Sequence, residues 1–113
     1  MDMEVLTAER EIINETDREM ARLFEQRMEA VKRIAMWKKE HGLPILDAGR
    51  EQEVIARNLG YIRDDELQGD YDLFIRNMLG VSRGYQRRLL KGIRAAYLRD
   101  RYQFQNRGLP VWF

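Results

Sequence analysis

From Met1 to His41 the chain contains neither glycine nor proline, and its apolar residues recur at spacings of three, four and seven. Ile12, Ile13, Met20, Leu23, Phe24, Val31 and Ile34 share one stripe at that period, which predicts a single long amphipathic helix. The sequence "HGLP" ends it: Gly42 suits the left-handed position just past a helix, and Pro44 cannot continue one. Asp47 then reads as the N-cap of a shorter helix running to about Asn58, with Glu51, Val54, Ile55 and Asn58 facing inward. Gly60 closes it, and "RDDELQGD" reads as a polar connection. A third helix is predicted from about Tyr71 to about Tyr102. Its stripe is Tyr71, Phe74, Ile75, Met78, Ser82, Tyr85, Gln86, Leu89, Ile93 and Ala96. Gly80, Gly84 and Gly92 share a face of that helix; they weaken it intrinsically and would permit close helix packing. No strand-type alternation, internal repeat or low-complexity segment is present. The expected fold is all-α, a three-helix chain forming one domain over residues 1–113.

The first helix constrains assembly. About 35 residues at about 1.5 Å each make roughly 50 Å. A compact chain of this size has a radius of gyration of only about 13 Å. The helix must therefore project past its own shorter partners, and an intertwined helical homodimer is expected to cover its stripe. The plainer alternative is a three-helix structure whose first helix frays.

Composition narrows the function classes. Twenty Lys and Arg nearly balance nineteen Asp and Glu, for a formal net charge of +1; a nucleic-acid binder carries a stronger basic excess. There is no cysteine, hence no disulfide, thiolate metal site or thiol nucleophile, and a single His argues against a His-based triad or zinc cluster. The acidic N-terminus lacks an apolar signal region, and no stretch approaches the roughly 18 apolar residues of a membrane span. A reducing cytoplasm is the expected compartment.

The stripes themselves carry polar residues. Lys38 lies only about 20° around the first helix from Arg27, and both are centred on apolar positions. Glu51 occupies the inward face of the second helix, and Ser82 and Gln86 that of the third. Each alone has a structural explanation: Arg27 pairs with Glu51, Ser82 bonds back to its own helix, Gln86 cross-links helices. Together they describe two cations, a carboxylate and two neutral donors able to converge among three helices, as ligand sites in bundles do. The cation excess points to an anionic ligand, with Arg suited to a carboxylate. Arg10 lies about 100° around and some 25 Å along the helix from Arg27. It cannot reach the same small ligand from the same chain. In an antiparallel dimer it could reach the partner's site; spacing alone favours simple solvent exposure.

In their order and spacing these residues resemble the all-α chorismate mutases, the AroQ class. The matching set is Arg10, Arg27, Lys38, then "LDAGRE" with Asp47, Arg50 and Glu51, then Ser82 and Gln86 four apart on the third helix. The flanking "REIINETDREMARLFEQRM" is also similar to that family's first helix. The likeness covers about residues 4–95; a C-terminal extension from about 97 to 113, ending "NRGLPVWF", passes beyond it. The resemblance implies rearrangement of chorismate to prephenate, a step toward Phe and Tyr that needs no metal and no organic cofactor. By resemblance, Arg27 grips a substrate carboxylate and Arg10 of the other subunit helps hold the dianion. Lys38 and Gln86 face the ether oxygen, Glu51 and the backbone near Asp47 take the ring hydroxyl, and Arg50 and Ser82 support the pocket. A homodimer with two shared sites is implied, and another shikimate-pathway enzyme is left open as a further partner. The alternatives are an isochorismate-pyruvate lyase on the same scaffold and a non-catalytic helical regulatory module.

Overall fold

A computed structural model describes residues 2–91 and, among them, three α-helices and no strand: α1 over Met3–Glu40, α2 over Ala48–Leu59 and α3 over Gln68–Leu90, with a 3-10 turn at Asp65–Leu67 before α3. The expected second half of the third helix, with Gly92, Ile93 and Ala96, and the C-terminal extension lie outside the described residues. The fold is all-α, as the apolar periodicity predicts. No helix among the described residues is long and apolar enough to cross a membrane. The chain divides within α1 into two compact units, one up to Ile34 and one from Ala35 onward.

The first unit is the N-terminal stretch of α1. Asp2 caps it: its Oδ1 accepts from the Glu4 N–H at 2.8 Å and its carbonyl from the Leu6 N–H at 3.0 Å. Ion pairs one turn apart, Glu15 with Arg18 and Glu19 with Arg22, line its solvent side. Such exposed pairs stabilise a helix by only about 0.2–0.5 kcal/mol each. The apolar stripe is largely solvent-exposed: Ile13, Met20 and Leu23 keep 56%, 46% and 50% of their surface.

The second unit begins with the last turn of α1. Gly42 takes φ +65°, and the N–H groups of Gly42 and Leu43 return to the carbonyls of Lys39 and Lys38 at 3.2 and 2.8 Å. These two bonds satisfy the helix's final carbonyls and turn the chain out toward α2. Asp47 caps α2 as its sequence position predicts, its Oδ1 accepting from the Arg50 N–H at 3.0 Å. At the other end of α2, the Gln68 side chain donates to the carbonyls of Leu59 and Ile62 at 3.1 and 2.8 Å. This side chain ties the start of α3 to the end of α2. Val54 and Ile55 then pack against Ile75 and Leu79, with Leu59, Tyr71 and Met78 around them.

Two expectations need correction. Helix α3 starts at Gln68, about a turn earlier than its apolar pattern suggests, because Gly69 and Asp70 are tolerated in a first turn that buries nothing. The close packing expected at Gly80 and Gly84 is not found among the described residues. A β-carbon there would meet only the guanidinium groups of Arg83 at 3.7 Å and Arg88 at 3.5 Å, both on α3 itself.

Candidate functional site

Six of the eight site residues expected from the sequence, Lys38, Asp47, Arg50, Glu51, Ser82 and Gln86, belong to the second unit. Lys38 is half-buried on the last turn of α1, and its Nζ donates to the Ile45 carbonyl oxygen at 3.0 Å. The ammonium therefore lies over the loop that leads into the N-terminal end of α2. Asp47 and Glu51 stand at that end: the Asp47 carbonyl accepts the Glu51 N–H at 3.0 Å, while the Asp47 carboxylate caps Arg50. The Arg50 side chain turns to solvent, 3.6 Å from the Glu53 carboxylate, so the structure does not gather it with the others.

Glu51 is half-buried and linked to α3. Arg83 Nη1 donates to both of its carboxylate oxygens, at 2.6 and 2.5 Å. The sequence singles out Arg27 as a partner for Glu51 and does not single out Arg83, which stands beside the apolar stripe of α3. The available signal is positional: Arg83 follows Ser82 directly, on a helix that packs against α2.

Ser82 and Gln86 are the buried polar residues of the described chain, with 4% and 8% of their surface exposed. They lie one turn apart on α3, and Gln86 Nε2 donates to the Ser82 carbonyl oxygen at 3.3 Å. That length is just beyond the usual N–H···O range. An amide buried in so small a core costs free energy unless its hydrogen bonds are made, and here the donor reaches a long, local acceptor in its own helix. Lys38 and Glu51 thus gather around the start of α2, while Arg83, Ser82 and Gln86 lie within about one turn of α3.

The remaining two expected residues belong to the first unit, where Arg10 is exposed and Arg27 half-buried. Among the described residues no group of three or more His, Asp or Glu is arranged to hold a metal ion. What the second unit offers is a cation, a neutralised carboxylate and an amide donor: groups suited to binding and polarising a polar anion.

The family model for chorismate mutase type II matches residues 9–98 of the chain. No curated protein and no solved structure gives a significant match.

Proposed function

The chain belongs to the chorismate mutase type II family, and from that premise we propose that it converts chorismate to prephenate in the route to Phe and Tyr. The reaction is unimolecular and pericyclic: the ether C–O bond breaks as a C–C bond forms, and no group is transferred to or from the protein. What the protein contributes is restraint and charge. It holds a flexible dianion in its reactive diaxial chair-like conformer and places donors where negative charge develops on the ether oxygen.

The observation that carries this reading is the buried pair Ser82 and Gln86 on α3, found at the spacing the family pattern requires. Gln86 is the neutral donor to the ether oxygen; it exchanges its long bond to the Ser82 carbonyl for a better acceptor. Lys38 is the cationic donor to the same oxygen. An ammonium has three donors, and the bond to Ile45 uses one. Arg27 binds a carboxylate of the substrate. Glu51 and the backbone at Asp47 accept the ring hydroxyl, while Arg50 and Ser82 support the pocket.

The half-exposed stripe of Ile13, Met20 and Leu23 supports a second part of the proposal: two copies pair through their first helices. Arg10 of one copy then serves the site of the other.

A lyase releasing pyruvate from isochorismate is the second reading. The complete "LDAGRE" segment and the Ser82 and Gln86 pair favour the mutase. A regulatory module without catalysis has no need of Arg27, Lys38 and Gln86 together. Separate assays of the purified protein with chorismate and with isochorismate test the proposal. Prephenate from the first supports it; salicylate and pyruvate from the second, without prephenate from the first, replace it with the lyase.

A further inference from the structure

We infer that Arg83 is a positioning residue for ring-hydroxyl recognition: it holds the Glu51 carboxylate in one orientation and cancels its charge, so that Glu51 can accept a hydroxyl hydrogen in a site built for a dianion. This inference rests on the reaction proposed above.

The contact is specific in kind. One nitrogen, Nη1, spans both carboxylate oxygens at 2.6 and 2.5 Å, and the two residues come from different helices, 32 positions apart. A free glutamate side chain samples many rotamers, and ordering it costs conformational entropy. Arg83 makes that ordering part of the fold, before any ligand arrives. A carboxylate offers roughly four acceptor positions. A donor seated between the two oxygens occupies the inner ones and leaves the outer ones for a hydroxyl group.

Charge gives the second reason. An unneutralised carboxylate facing a dianion is repelled, and the repulsion is stronger near a protein surface than in bulk water. With Arg83 against Glu51 the pair is formally neutral yet keeps its acceptor lone pairs. The role of Arg83 therefore differs from that proposed for Arg27. Its charge is spent on Glu51 rather than on a substrate carboxylate, and a purely structural role would not depend on the substrate carrying a hydroxyl.

The test compares chorismate with its analogue lacking the ring hydroxyl. Wild type, Arg83→Met, Arg83→Lys, Glu51→Gln and the Arg83→Met/Glu51→Gln double variant are assayed on both, with folding followed by circular dichroism. On chorismate, Arg83→Met and Glu51→Gln should each lose roughly tenfold in kcat/KM, the worth of about one net hydrogen bond. The double variant should lose no more than either single one, and Arg83→Lys should recover most of the loss. On the analogue, still a dianion, Glu51→Gln and the double variant should agree with wild type within about twofold, whereas Arg83→Met should keep only the part of its loss that comes from the bared carboxylate and so lose less than on chorismate. Equal losses on both substrates in Arg83→Met, or losses that multiply in the double variant, overturn the inference and leave the mutase reading standing. A wild type that rearranges neither compound overturns both. If Arg83→Met fails to fold, Arg83→Gln makes the same comparison.

Discussion

The ammonium of Lys38 donates to the carbonyl oxygen of Ile45 at 3.0 Å, and the carbonyl of Lys38 accepts the Leu43 N–H at 2.8 Å. One residue thus fastens the loop between α1 and α2 at both its backbone and its side chain. The same ammonium is proposed to stabilise the ether oxygen of the substrate.

Lys38→Ala should therefore show two separable effects. Turnover of chorismate should fall about 10²- to 10³-fold, the usual loss for one preorganised donor. Stability in urea should fall by only about 1 kcal/mol, the net value of one hydrogen bond. Near-normal turnover in a folded Lys38→Ala protein would remove Lys38 from the mechanism.

The turn beside it is tested through the backbone. Gly42 sits at φ +65° with nothing within 4 Å of where a β-carbon would stand. Gly42→Ala thus meets no clash and reports backbone strain alone, about 1–2 kcal/mol. Asp47→Ala should cost about 1 kcal/mol by removing the cap on α2, and Asp47→Asn, which retains the acceptor, much less. Urea denaturation measures all three; equal stability of Asp47→Ala and wild type would contradict the cap.

These turns are also where the sequence is most legible. Gly42, Pro44, Asp47 and Gly60 punctuate the chain with residues whose backbone preferences are strong and local, so the helix ends could be placed from them. The buried positions Ile75, Ser82 and Gln86 follow from helical periodicity alone. The start of α3 is not legible, because its first turn buries no apolar residue and is held instead by Gln68 reaching back to α2. Arg83 is illegible for a related reason: a charged residue beside a stripe looks solvated until a second helix brings Glu51 to it. Periodicity reports which face of a helix is apolar; it does not report which polar groups meet across helices.

Gln86→Glu should convert a pH-independent donor into a titrating one. The amide of Gln86 donates without needing a proton from solution. A glutamate there donates only when protonated and, as an anion, repels the charge developing on the ether oxygen. The variant should be poor at neutral pH and gain activity as pH falls toward the carboxyl range. Profiles of kcat/KM against pH for wild type and variant, with folding checked at each pH, make the comparison. Wild-type activity at neutral pH without an acid-side gain would mean that Gln86 does not touch the ether oxygen.

Arg10 and Arg27 test the shared site. Arg10→Ala and Arg27→Ala proteins should each be nearly inactive. In a mixed dimer one site keeps both arginines and the other loses both, so co-refolding the two inactive proteins should restore activity. Verified heterodimers without activity would show that Arg10 does not act across subunits.

The most direct measurement follows chorismate and its product by NMR with the purified protein alone. Chorismate should disappear in proportion to enzyme, prephenate should appear mole for mole, and no pyruvate should be released. Unchanged chorismate, or pyruvate in place of prephenate, would contradict the proposed rearrangement.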